Sequence, residues 1–179
     1  HHLDPRLSAL IDDPRLWEPC RALVGSQELS LFSDKLNMKR PGGAPFPWHQ
    51  ESPYWVYGAE QVERIVSVLV YLDDASVDNG CLWVIPGSHR HGVLPSLSDR
   101  GVLGALYTDV GRVEGEPFPV QLPAGSALWF HRDLVHAARI DGCTEFGAVE
   151  QSDHDRCESE CSDHTRSRHQ QANMRLFVH

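Results

Sequence analysis

The fold is decided by Arg64-Ile-Val-Ser-Val-Leu-Val-Tyr-Leu72. Its β-branched and apolar side chains run almost without interruption, which is typical of a strand buried on both faces. Such a strand lies inside a sheet that other layers cover on both sides. The rest of the chain must therefore provide partner strands and a covering layer.

Working outward from this strand, the sequence predicts several shorter strands separated by glycine- and proline-containing turns. They fall at residues 29–38, 81–85, 118–122, 126–130, 134–138 and 172–178. Near the start of the chain, Asp4-Pro5 and Asp13-Pro14 each predict a helix start, with aspartate as the cap and proline at the first helical position. The second helix is expected to end near Gly25. We therefore predict a mainly β protein, an antiparallel double-sheet roll with flanking N-terminal helices.

Length and composition predict one globular domain over residues 1–179, with 41% hydrophobic and 23% charged residues. A net charge of -9 disfavours binding to nucleic acid or to an anionic membrane, because both require clustered cations. No apolar run is long enough for a membrane span. The five cysteines are an odd number without framework spacing, so we expect free thiols and a cytoplasmic location. The sequence does not indicate an oligomeric state.

The segment 141–169 differs in composition, being rich in polar residues and nearly free of aliphatic ones. We interpret it as a polar insertion or mobile loop. Its Cys157, Cys161 and His164 have a Cys-x-x-x-Cys-x-x-His spacing that is compatible with a second, structural metal site for zinc. The alternative is a polar loop with incidental cysteines.

A candidate metal-binding pair stands in Pro47-Trp-His-Gln-Glu-Ser-Pro-Tyr-Trp55. On an extended backbone, His49 and Glu51 would project to the same face, because residues two apart do so in a strand. With one further histidine they would form the two-histidine, one-carboxylate triad that binds non-haem Fe(II). His131 and His136 lie in strand context and are the better candidates for that histidine, whereas His89 and His91 follow a turn.

Three segments together resemble the phytanoyl-CoA dioxygenase family of Fe(II)- and 2-oxoglutarate-dependent oxygenases. They are Trp-His-Gln-Glu-x-x-Tyr-Trp at 48–55, Asp-Asn-Gly-Cys-Leu-Trp-Val-Ile-Pro-Gly-Ser-His at 78–89, and Gly-Ser-Ala-Leu-Trp-Phe-His at 125–131 followed by Leu-Val-His at 134–136. The resemblance implies a double-stranded β-helix, a cupin-like jelly roll. It also implies that His49 and His136 bind iron and that Glu51 takes the carboxylate position.

The activity that the resemblance implies is hydroxylation of a small or medium organic substrate, with release of succinate and CO2. The cofactors would be Fe(II), 2-oxoglutarate as co-substrate and O2, with ascorbate as a supporting reductant. Members of the family usually carry more N-terminal sequence, so we expect this domain to be incomplete at its N-terminus. Two alternatives stay open: a catalytically impaired member acting as a binding protein, and a cupin-like metalloenzyme that does not use 2-oxoglutarate.

The chain departs from the family pattern at two places. Glu51 stands where the family has aspartate, and its extra methylene leaves three alternatives: direct ligation, ligation through water, or iron held by two histidines. The arginine that pairs with 2-oxoglutarate is expected near residue 147, where the chain has glycine. If 141–169 is an insertion, Arg166 is the best match, with Arg168 and Arg139 behind it.

Four more residues are assigned to the site through the resemblance. Lys39 matches a commonly basic position and is predicted to help bind the co-substrate, the alternative being an exposed lysine at a strand end. Trp48, Tyr54 and Trp55 are predicted to line the substrate pocket, although aromatic residues also serve as plain core.

Overall fold

The structure, a computed structural model, describes residues 4–40, 45–54, 64–97, 107–111, 113–138 and 171–178. Several predicted features lie outside the described residues. They are the polar segment 141–169 with Cys157, Cys161 and His164, the three candidate arginines Arg139, Arg166 and Arg168, and the aromatic residue Trp55. No helix among the described residues is long and apolar enough to cross a membrane.

Two helices open the described chain, α1 at Pro5–Ile11 and α2 at Pro14–Val24. Asp4 and Asp13 cap them by accepting hydrogen bonds from backbone N–H groups two residues on. Gly25 ends α2 with a φ of 72°, a left-handed conformation that glycine adopts without a steric penalty. Both predicted helices are confirmed, because aspartate, proline and glycine fix their ends through local backbone chemistry.

Eight strands lie in the described part of the chain. They are β1 at Leu31–Lys39, β2 at Phe46–His49, β3 at Val66–Tyr71, β4 at Leu82–Val84, β5 at Phe118–Val120, β6 at Ala127–His131, β7 at His136–Ala138 and β8 at Gln171–Val178. They pair antiparallel into two four-stranded sheets, ordered β1-β8-β3-β6 and β2-β7-β4-β5. This double-stranded β-helix confirms the predicted fold class.

The strand that decided the fold, β3, is buried at all six positions, as its sequence predicted. One face of β3 and β8 packs against the helices. The apolar layer that they share with α1 and α2 consists of Ile11, Leu16, Cys20, Val66, Val68, Val70, Met174, Leu176 and Val178. The indole N–H of Trp129 also donates to the carbonyl of Leu16 and so ties β6 to α2. The helices therefore provide the covering layer that β3 requires.

The opposite face of the same sheet lines the interior of the roll. A second apolar cluster lies there, formed by Leu69, Tyr71, Ala75, Cys81, Leu82, Val84 and Phe130. Polar residues pair where β1 meets β8, and those of β1 are partly buried at Asn37 and Lys39 and exposed at Lys35. Lys35, Asn37 and Lys39 lie opposite Arg175, Asn173 and Gln171 respectively. The interior therefore has an apolar side and a polar side, and the polar side adjoins the candidate site.

Candidate metal centre

His49, Glu51 and His136 converge in the interior of the roll. His49 and His136 are direct partners in the register of β2 and β7, and their ring centroids lie 4.0 Å apart. One ligand atom from each of the three side chains lies within 4.8 Å of the others. All three side chains are buried, with Glu51 3% and His136 0% exposed. Strand register thus unites two histidines that are far apart in the sequence.

The expectation that His49 and Glu51 share one extended strand is corrected by the structure. β2 ends at His49, and Glu51 lies in a bend that precedes a short 3-10 turn at Ser52–Tyr54. The backbone N–H of Glu51 donates to the carbonyl of Arg132 at 2.9 Å, in the turn between β6 and β7. That turn, rather than the pleat of a strand, directs the carboxylate towards the histidines.

Both histidines present Nε2 to the carboxylate. Nδ1 of His49 lies 2.9 Å from the carbonyl of Pro47, and Nδ1 of His136 lies 2.8 Å from the carbonyl of Leu134. Since a carbonyl oxygen only accepts, each Nδ1 carries the proton and donates it. Metal-binding histidines are commonly oriented in this way by a backbone carbonyl.

Glu51 reaches both histidines despite its extra methylene. Its Oε1 lies 3.3 Å from Nε2 of His49 and 3.1 Å from Nε2 of His136. Metal–ligand bonds of about 2.1 Å at right angles would separate neighbouring ligand atoms by about 3 Å. These two distances therefore fit a metal ion that binds all three side chains on one face of its coordination shell.

Arg175 of β8 is a fourth member of the cluster, which sequence reasoning did not assign. Its Nη1 lies 2.7 Å from Oε1 of Glu51, and its Nη2 donates to Nε2 of His136 at 2.9 Å. The guanidinium carbon lies 4.7 Å and 5.1 Å from the ring centroids of Phe130 and Phe177. A signal existed: Arg175 is the one charged residue in the closing stretch 172–178.

The charges of the cluster are mutually dependent. Burial alone would raise the pKa of the Glu51 carboxyl, but the Arg175 guanidinium and the contacts with His136 and His49 hold that pKa well below its usual value. Burial, together with the neighbouring His49 and Arg175, lowers the pKa of His136 to about 3. Burial also lowers the pKa of Arg175, against the attraction of Glu51. At neutral pH the cluster holds an ionised carboxylate and a neutral His136.

Buried side chains hold the bend at Glu51 in place. The Ser52 hydroxyl donates to the Asp133 carboxylate, and the side-chain N–H of Gln50 donates to the carbonyls of Asp133 and Gly92 at 2.7 Å and 2.8 Å. Elsewhere, Ser88 accepts from the N–H of Val135 at 2.9 Å. Three loops are thereby tied together around the candidate metal centre.

The other predicted site residues take different positions. The Tyr54 ring lies 6.1 Å from that of His49, and Phe46 meets His49 edge-on at 4.4 Å. Trp48 is partly buried, and its carbonyl accepts from the N–H of Thr108. Lys39 donates to the carbonyl of Gly80, and burial lowers its pKa to about 8.

The competing histidine candidates lie elsewhere. His131 is 45% exposed at its side chain, and its ring faces that of His89 at 5.4 Å. Neither ring belongs to the group of side chains that converge on Glu51. Of the candidates weighed from the sequence, His136 is the one that β7 brings to His49.

Fold and site together define a double-stranded β-helix of the cupin type with a candidate centre of two histidines and one carboxylate. The chain belongs to the phytanoyl-CoA dioxygenase (PhyH) family, whose sequence model matches residues 1–140. This confirms the family that the three sequence segments indicated.

Similar proteins include named hydroxylases. Methylphosphonate hydroxylase of Gimesia maris is 33% identical over 127 residues, which cover 71% of this chain and 45% of that protein. L-proline trans-4-hydroxylase of Streptomyces griseoviridis is 30% identical over 161 residues, covering 77% and 58%. The chain thus spans about half the length of the curated relatives it matches.

Solved structures agree on the fold. EctD from S. alaskensis with bound Fe has a TM-score of 0.68 at 24% identity, with 99% of this chain and 54% of that chain covered. The same protein with 2-oxoglutarate and 5-hydroxyectoine has a TM-score of 0.67 at 22% identity, with coverages of 97% and 52%. At these identities the likeness shows the shared fold.

Proposed function

We propose that the chain is the core of an Fe(II)- and 2-oxoglutarate-dependent dioxygenase that hydroxylates a small or medium organic substrate. One observation carries the proposal: Oε1 of Glu51 lies 3.1 Å from Nε2 of His136 and 3.3 Å from Nε2 of His49. His136 is neutral with its proton on Nδ1. Its Nε2 therefore carries a lone pair, which faces a lone pair of the Glu51 carboxylate. Two such acceptors side by side need a neighbouring cation, which Arg175 supplies in this structure and which a bound metal ion would supply in its place.

The three side chains would hold iron as a facial triad that leaves positions open for other ligands. Iron with 2-oxoglutarate and O2 would supply an oxidant for C–H hydroxylation, with succinate and CO2 as co-products. The protein orients the ligands, keeps water out and holds His136 neutral for coordination. Family membership and the EctD structures support this assignment of the metal and co-substrate.

The polar side of the interior suits a dicarboxylate co-substrate. Arg175 and Lys39 place two cations there, whereas Glu51 is the one ionised carboxylate of the described cluster. Three buried donors in the interior lack a hydrogen-bond partner among the described residues: Nε of Arg175 and the hydroxyls of Tyr71 and Ser67. A ligand with two carboxylates would satisfy such groups.

We assign the distal carboxylate of 2-oxoglutarate to Arg175 rather than to Arg166. Arg175 lies in β8 with its side chain in the interior, and a guanidinium binds carboxylates in a bidentate manner. Without the polar segment 141–169, Arg175 would also stand about as far from His136 as the family resemblance requires. The role of Arg166, outside the described residues, stays a prediction.

The substrate is proposed to be a small polar molecule that approaches beside Phe46 and Tyr54, two aromatic rings that lie close to His49. Trp48 and Trp55 remain predicted members of that pocket. Methylphosphonate and L-proline, which the names of two relatives contain, are the first compounds to test.

The test is release of succinate from 2-oxoglutarate with Fe(II), ascorbate and each candidate substrate. We expect turnover by the wild-type chain, none by His49→Ala, and retained turnover by His131→Ala, whose ring lies outside the cluster. Iron binding without any turnover of 2-oxoglutarate, coupled or uncoupled, would instead indicate a binding protein. Substrate oxidation without 2-oxoglutarate would indicate a different cupin-type enzyme.

A further inference from the structure

Arg175 occupies the single lone pair on Nε2 of His136 that a metal ion would need. Its guanidinium contacts Oε1 of Glu51 at 2.7 Å and Nε2 of His136 at 2.9 Å, and both of these atoms belong to the candidate ligand set. The unprotonated nitrogen of a neutral imidazole has one lone pair, so Nε2 of His136 cannot accept from the guanidinium and bind a metal ion at once. In the geometry described, arginine and metal are therefore competitors.

The pair between Arg175 and Glu51 is well protected from water. Arg175 is 5% and Glu51 is 3% exposed, and the phenyl rings of Phe130 and Phe177 flank the guanidinium. Charge-assisted hydrogen bonds in such surroundings are stronger than those on a surface. Displacing Arg175 from Glu51 and His136 consequently has a free-energy cost that metal binding must offset.

We propose that Arg175 is an internal cation that sets the metal affinity of the site. Without metal it neutralises Glu51 and donates to His136, and a divalent metal ion binds by displacing it. The inference rests on the proposed function, because it takes His49, Glu51 and His136 as the ligands. It adds a role for Arg175 that is exerted before any co-substrate binds.

The test measures Mn²⁺ or Ni²⁺ binding by isothermal titration calorimetry, on chelator-treated protein and without 2-oxoglutarate. Arg175→Met removes the competing cation, and we expect its dissociation constant to fall on the order of tenfold relative to the wild type. Arg175→Lys keeps a charge and is the safer variant for folding. It should show a smaller gain of the same sign, because an ammonium lacks the planar fork that bridges two acceptors.

Arg21→Met is the matched control. Arg21 pairs with Glu18 on the surface of α2 at 2.7 Å, so this variant changes the net charge equally without touching the site. Its metal affinity should equal that of the wild type. An equal gain in Arg21→Met would overturn the proposal, because it would show that net charge alone raises the affinity.

The remaining outcomes separate the inference from the proposed function. Metal binding by the wild type with unchanged or weaker binding by both Arg175 variants refutes the inference and leaves the metal site intact. Binding by Arg175→Met alone supports the inference in its strongest form. No binding by any variant refutes the proposed function, and the inference with it.

Discussion

Replacing Glu51 by glutamine removes one negative charge from the interior and preserves the length of the side chain. In the structure this leaves the Arg175 guanidinium, 5% exposed, without its carboxylate partner at 2.7 Å. Removing one partner of a buried ion pair costs about 3–5 kcal/mol, because the remaining charge stays desolvated. Since domains are stable by about 5–15 kcal/mol, Glu51→Gln should lose a large part of its free energy of unfolding.

The measurement is urea unfolding at pH 7 in the presence of a chelator, for Glu51→Gln, Arg175→Met and the double variant. The double variant should lose clearly less free energy than the two single variants together, because it leaves no unpaired charge behind. Glu18→Gln is the control: Glu18 is 67% exposed, and its surface pair with Arg21 contributes less than about 1 kcal/mol. A loss below about 1 kcal/mol for Glu51→Gln, or additive losses in the double variant, would refute the reasoning.

Three further changes test other parts of the structure. Lys39→Met should raise the free energy of unfolding by about 3 kcal/mol at pH 7, because the folded pKa of about 8 lies below the unfolded 10.5 and makes the charge destabilising. The gain should fall between pH 8 and 10.5, and a gain independent of pH would contradict this. Ser52→Ala should cost about 1–3 kcal/mol in chemical unfolding, because the buried Asp133 carboxylate loses a donor, and an unchanged midpoint would contradict that role. Leu176→Ala, at a position 2% exposed, should cost about 2–5 kcal/mol by the same measurement, whereas Leu23→Ala, at 62%, should cost much less; equal losses would contradict the assignment of the core.

Much of the fold could be predicted because its signals are local. The Asp-Pro caps and Gly25 define the helix ends, and the uninterrupted apolar run of β3 identifies the central strand. The short strands other than β2 were predicted to within a few residues, because glycine and proline interrupt the chain between them. Strand order is a long-range property, and the family resemblance rather than the pattern of residues indicated it.

The site was predicted in part. His49, Glu51 and His136 were named from spacing and resemblance, and the register of β2 and β7 brings the two histidines together. The sequence does not single out Arg175, because the best motif match falls in 141–169 and an arginine within an apolar strand suggests no partner until the sheets are assembled. The bend at Glu51 was also not foreseen, since it depends on the carbonyl of Arg132, 81 residues away in the chain.

The members of the cluster come from different sheets. His49 and His136 belong to the sheet of β2 and β7, with Glu51 directly after β2, whereas Arg175 belongs to the sheet of β8. The ion pair between Arg175 and Glu51 therefore joins the two layers of the roll in its interior. If a metal ion displaces the arginine, as proposed, coordination by residues of the β2–β7 sheet and the bend after β2 would replace this contact between the layers. Binding of a metal ion would accordingly change how freely β8 moves against the opposite sheet.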